Sequence, residues 1–160
     1  MLKSGNNYQI AFDPGMTGCG YSIWNNGVWQ CVGTITPRGS DHLSKLKDLQ
    51  VKATDFFTLL LADPPGVVER IAIEEWEGYF PRFKVATMLK SAEGRGLLIS
   101  VCYRFCDDIR FVSKGKTKKD QAQMIALRSG IKGSAHAIDS FHLGLLAGFG
   151  EVIGKKSFGQ

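Results

Sequence analysis

No stretch of this 160-residue sequence is apolar enough over its length to span a bilayer, and the opening MLKSGNNYQ has no apolar centre like that of a secretory signal. Those absences predict a soluble, cytoplasmic chain with no membrane partner. Cysteine is sparse: Cys19, Cys31, Cys102 and Cys106 form no CxxC pair. That argues against a zinc site or disulfide framework and for reduced, mostly buried thiols. No histidine-rich zinc pattern is present, and repeats, low-complexity tracts and a domain linker are missing too. What is there is ordinary for a folded protein. Hydrophobic residues make up 44% and charged residues 22%, a balance that excludes disorder. One domain over 1–160 is expected, with an ordered core at about 8–150. A formal net charge of +5 is a moderate basic bias; it suits nucleic acid or another polyanion without selecting either.

The apolar pattern predicts strands at 8–12, 19–24, 28–35, 67–75 and 109–113. Asn25-Asn26-Gly27 between the second and third is a hairpin signal, because both residue types tolerate positive φ. From Asp41 to Ala62 the period becomes helical, with Leu43, Leu46, Leu49, Ala53, Phe56, Phe57 and Leu60 on the repeat, until Asp63-Pro64-Pro65-Gly66 ends it. Pro81 is placed to open a second helix reaching Arg104. Gly94 and Gly96 inside it cost about 1 kcal/mol each against alanine, which predicts close packing. Thr117 and Asp120 form a capping-box-like start to a helix ending at Gly130, and Ser134 caps a last one over 135–148. The order β-β-β-α-β-α-β-α-α implies an α/β fold, a mixed five-stranded sheet with helices on both faces. Functional groups then gather at the carboxyl ends of the parallel strands, where Asp13 and Glu74 sit.

Asp13 has two readings. Asp-Pro-Gly is a turn sequence in its own right; alternatively, the strand carries the acid to the edge of the core as a ligand. Glu74 ends "IAIE", and alternation sends it to the face of Ala72, away from Ile71 and Ile73. The last helix, "SAHAIDSFHLGLLAG", is apolar on nearly every face yet carries His136 and Asp139 three residues apart on one side. A carboxylate buried there needs a partner, either a hydrogen-bond network or a metal. His142 is off that side and reads as a packing or surface residue. Three carboxylates and one imidazole, from two strand ends and a helix, suit Mg2+ or Mn2+. Two such ions can activate water and stabilise the leaving oxygen in phosphodiester cleavage.

"IAFDPGMTGCGYSIW", "IAIEEWEG" and "HAIDSFHLGLLAG" follow one another in the order and spacing of the RuvC-type Holliday junction resolvases. The chain resembles that family from Ile10 to Gly148. The resemblance implies a ribonuclease H-like fold, a homodimer, and resolution of four-way DNA junctions by paired symmetric nicks with two Mg2+ ions per active site, Mn2+ substituting. Asp13 matches the first catalytic acid, Glu74 the glutamate ending the fourth strand, and Asp139 the last acid on the final helix. His136 falls where many relatives have aspartate and some histidine, which suits a metal ligand or a proton carrier. "GKTKKDQAQM" looks like the family's Gly-x-x-x-Lys-x-Gln segment, which puts Lys119 near the scissile phosphate. "FKVATMLKSAEGRGLLISV" looks like its long dimer-interface helix. Two departures stand out. The stretch before Lys119 is compact, leaving Lys114 and Lys116 as candidates for a second basic residue. Where relatives carry an aromatic wedge after the glutamate, this sequence has Glu77, flanked by Trp76, Tyr79 and Phe80.

Lys114, Lys116, Lys118 and Lys119 make either a solvated loop or a set of phosphate contacts. Arg82 opens the charge around the second helix, with Lys84, Lys90, Arg95 and Arg104 following. Trp76, Tyr79, Phe80 and Phe83 suit core contacts or base stacking on opened DNA. The expected function is a metal-dependent, structure-selective DNA endonuclease acting on four-way junctions. A broader fork and flap nuclease and a non-cleaving junction-binding protein are the alternatives. An actin-like phosphotransferase would need two such subdomains and a far longer chain.

Overall fold

A computed structural model of the chain describes residues 5–75, 84–113, 124–127 and 129–150. Five strands, β1 (Asn6–Asp13), β2 (Cys19–Asn25), β3 (Val28–Ile35), β4 (Gly66–Glu74) and β5 (Ile109–Val112), form one sheet in the order β3-β2-β1-β4-β5. The helices are α1 (His42–Ala62), α2 (Val85–Tyr103) and α3 (Ala135–Leu146), and residues 124–127 are helical as well. β1, β2 and β3 are an antiparallel meander, while β4 lies parallel to β1 and β5 parallel to β4. Four carboxyl ends, those of β1, β3, β4 and β5, therefore meet along one edge of the sheet.

The alternation of β1 decides what each face buries. Ile10 and Phe12 join Ile71 and Ile73 of β4, Phe57 of α1 and Leu98 of α2 in one cluster. Ala11 and Ala72 face the other way, towards Trp24, Phe141 and Leu143. So α1 and α2 cover one face and α3 the other. Small residues on the α3 side let that helix lie close. Trp24 stacks on Phe141 with ring centroids 5.7 Å apart, and at Gly144 a Cβ would collide with the Trp24 indole.

Local chemistry starts and stops these elements where expected at most sites. Asp41 caps α1, its Oδ1 accepting from the Ser44 N–H at 2.7 Å, and Ser134 caps α3 by accepting from Ala137 N–H. Asn26 and Gly27 take φ of 51° and 79° at the hairpin, the left-handed pair that a two-residue turn demands. Gly130, with φ of 69°, ends the helical stretch before it.

Other boundaries differ from the sequence reading. β1 starts at Asn6 because Asn6 and Asn7 pair with Gly66 and Val67 across β4, a backbone pairing that leaves no apolar trace. Helix α2 begins at Val85 behind an extended Lys84 (φ −63°, ψ 142°), later than the start at Pro81 expected from the sequence. Gly94 is packed closely, but Gly96 faces open space. Cys19, Cys102 and Cys106 are buried and all four thiols are free, yet Cys31 is exposed on the edge strand β3. Thr117, Asp120, Pro81 and the aromatic cluster at 76–83 lie outside the described residues. Among the described residues no helix is long and apolar enough to cross a membrane.

Candidate active site

β1 delivers Asp13 as its last residue, on the face of Ala11 and 5% exposed. A carboxylate so buried costs several kcal/mol unless partnered. His136 Nδ1 lies 2.7 Å from Asp13 Oδ2. An ionised carboxylate only accepts, so Nδ1–H donates and Nε2 is the ring nitrogen left outside that bond. The pair thus fixes the orientation of the imidazole.

The local sequence explains why His136 reaches that point. Ser134, the α3 cap, holds Thr34 Oγ1 of β3 at 2.6 Å through its hydroxyl. One strand over, Ser22 Oγ donates to the Ser140 carbonyl at 2.8 Å. Gly20 is paired with Asp13 across β1 and β2, and a Cβ there would collide with the His136 carbonyl. The helix start can settle over β2 only because Gly20 has no side chain. Gly15 and Gly18 then flank the ring: a Cβ at Gly15 would stand 3.2 Å from His136 Cε1, and one at Gly18 would stand 3.7 Å from Cδ2. The sequence reading took Pro14-Gly15 as a turn. The recurring glycines of "DPGMTGCG" were the overlooked signal, since they form a seat for an aromatic ring as well as a bend.

Glu74 closes β4. The β1–β4 register pairs Phe12 with Ile73, so Asp13 and Glu74 are the next residues along two adjacent parallel strands. Both share the face of Ala11 and Ala72, which α3 covers. The Glu74 carbonyl accepts from Arg95 at 2.6 Å, and that guanidinium lies 5.1 Å above the Phe111 ring. Burial lowers the Arg95 pKa, while the charges of Glu74 and Glu75 oppose the shift; an arginine starts so high that it stays a cation. Asp139 is half-buried one turn beyond His136. His142 is 4% exposed, which selects packing over surface.

The structure thus joins Asp13 to His136 directly and sets Glu74 and Asp139 on the neighbouring strand and the next helical turn. Among the described residues no three His, Cys, Asp or Glu side chains are grouped as the ligands of one ion would be. The donor chemistry nevertheless fits a hard divalent cation, with three carboxylates and a single imidazole. Lys114, Lys116, Lys118, Lys119, Trp76, Tyr79, Phe80 and Arg82 fall outside the described residues.

A meander followed by two parallel strands, with helices on both faces and acids at the carboxyl edge of the central pair, is the architecture of the ribonuclease H-like fold. Among solved structures the chain is similar to RuvC of Thermus thermophilus, with a TM-score of 0.64 and 14% identity over 89% of this chain and 93% of that one. The same protein in complex with a Holliday junction substrate matches equally, again with a TM-score of 0.64 and 14% identity over 89% and 93% of the two chains. At that identity the likeness is one of fold. No protein-family model matches the sequence, and no curated protein does.

Proposed function

We propose that the chain is a metal-dependent, structure-selective DNA endonuclease that resolves four-way junctions by paired symmetric nicks as a homodimer. The observation that carries this reading is the placement of Asp13 and Glu74 side by side at the carboxyl edge, with Asp13 bonded to His136 of the helix that covers them. The fold shared with a protein solved on a Holliday junction substrate supports the choice of DNA.

Asp13, Glu74, Asp139 and His136 would hold the ions, Mg2+ or Mn2+, which supply Lewis acidity for phosphodiester hydrolysis when bound. The chain's own contribution is positional and protolytic. Asp13 holds the imidazole by Nδ1, so His136 has Nε2 left for one of two roles: to bind an ion, or to take and return a proton during attack on phosphorus. Asp13 is buried while the His136 side chain stays partly exposed, so the pair reaches from the core to the solvent edge. Lys119, matched by the family resemblance, would offset the negative charge on the phosphoryl oxygens in the transition state.

The test is a comparison of the purified chain on a four-way junction, a Y-fork and a linear duplex with Mg2+, the nicks mapped to the nucleotide. Symmetric nicks on the junction alone are expected. Equal cutting of forks and flaps would replace junction resolution with general branched-DNA cleavage. Binding without nicking in either Mg2+ or Mn2+ would leave only a junction-binding protein.

A further inference from the structure

Three consecutive residues in the middle of α2 each engage a different part of the carboxyl edge. Glu93 Oε2 lies 2.6 Å from His42 Nε2 at the start of α1. Gly94 is buried and takes the side chain of Met16: a Cβ there would collide with the thioether sulfur and stand 3.3 Å from Met16 Cγ. Arg95 donates to the Glu74 carbonyl and lies over Phe111. Successive helical residues point about 100° apart. Gly94 therefore faces the sheet edge, and its two neighbours flare to either side. Met16 belongs to the loop joining Asp13 to β2, the same loop whose Gly15 and Gly18 flank the His136 ring.

We infer that Gly94 and Arg95 are the positioning residues of the site: Met16 seated on Gly94 sets the loop around His136, while Arg95 fixes the strand end that carries Glu74. Helix α2 is a rigid element, so it holds the two acid-bearing strand ends in register from the opposite face of the sheet. The catalytic meaning of this arrangement rests on the nuclease reading above; the geometry does not. Sequence pattern also argues for it. A glycine inside a helix costs about 1 kcal/mol against alanine, and here that cost secures the seat for Met16. Arginine suits position 95 for a similar reason. Its planar fork bonds a carbonyl and lies over a ring at once, which a lysine ammonium does less well.

The decisive variants of the full chain are Gly94→Ala, Met16→Ala, their double mutant, Arg95→Ala and Arg95→Lys. Each is followed by thermal unfolding, by NMR of the Met16 methyl and the His136 ring at fixed pH without metal, and by kcat and KM on a junction. Gly94→Ala is expected to leave Tm unchanged or raised, to move both the Met16 and His136 resonances, and to lower kcat about tenfold with KM nearly unchanged, a scale set by small misplacements of reacting groups. Met16→Ala should lower kcat similarly, and the double mutant should lose no more than either single change, since both act through one contact. Arg95→Lys should resemble Arg95→Ala. His136 resonances that stay put in Gly94→Ala and Met16→Ala, additive losses in the double mutant, or full rescue by Arg95→Lys would each overturn the proposal. If the native chain cleaves no DNA, the nuclease reading fails, and the NMR arm still decides whether α2 sets the loop around His136.

Discussion

Asp13 is an acid that a strand carries into a core and that a histidine from the far end of the chain meets there. Its sequence context, Asp-Pro-Gly, was legible as a turn, and its strand-end position as a site. The bond from His136 was not legible, because it joins residues far apart in the chain and depends on glycines that read locally as loop residues. Gly15 contributes by leaving room for the ring, where a Cβ would stand 3.2 Å from His136 Cε1. Exchange of the acid for its amide tests the assignment at this scale. Asn in place of Asp13 keeps an oxygen that can accept from Nδ1–H but removes the charge that, on the proposed reading, would orient ions and stabilise an imidazolium. The Asp13→Asn chain should therefore bind a junction nearly as the native one does while its kcat falls by about 100-fold or more, the usual range for loss of an electrostatic catalytic group. Gel-shift affinity and single-turnover cleavage measure the two separately; near-native nicking would remove Asp13 from the chemistry.

At the element scale, the site exists because α3 can lie almost on the backbone of β2. Two glycines permit it, Gly20 under the helix start and Gly144 against Trp24. The strands, the hairpin and α1 were readable because period and turn chemistry are local properties. The start of α2 was not, since Pro81 offered a plausible opening and the extended Lys84 overrode it. Nor did the sequence separate Gly94 from Gly96: both carry the same helical cost, and only tertiary packing distinguishes the seat for Met16 from open space. Overpacking gives the prediction. Alanine at Gly144 forces the Trp24 ring aside and should cost about 1–3 kcal/mol, as inserted methyl groups in packed cores do. Alanine at Gly20 would meet the backbone of His136 and Ala137 instead of a side chain, so it should cost more and, in addition, separate His136 from Asp13. Urea unfolding is expected to show the larger loss in Gly20→Ala, with cleavage by surviving folded protein impaired there and much less affected in Gly144→Ala. Equal cleavage by the two folded variants would mean that the approach of the α3 start does not set the catalytic pair.

For the whole molecule the questions are charge and copy number. A net charge of +5 over 160 residues is small for holding DNA by field alone, so on the proposed nuclease reading local phosphate contacts would supply most of the affinity. The run from Lys114 to Lys119 is where the sequence concentrates lysine. Lys119→Ala should slow cleavage more than it weakens binding. Lys116→Ala should instead weaken binding uniformly and flatten its salt dependence by about one released counterion. A proportional loss of binding and rate in Lys119→Ala would make that lysine a phosphate anchor like its neighbours. On the proposed junction-resolving reading, copy number follows from substrate symmetry. A four-way junction offers two equivalent strands across a twofold axis, and a twofold dimer presents one acid cluster to each. A supercoiled plasmid bearing an extruded cruciform separates the possibilities, because the first nick releases the supercoiling that keeps the cruciform extruded. Two nicks within one binding event give linear plasmid, whereas a monomer that nicks and leaves gives an open circle. Linear product is expected from the native chain. Mixing it with excess Asp13→Asn protein should turn the product towards open circles, since mixed dimers carry one competent site. Open circles from the native chain alone would leave the nuclease chemistry standing and remove the paired dimer.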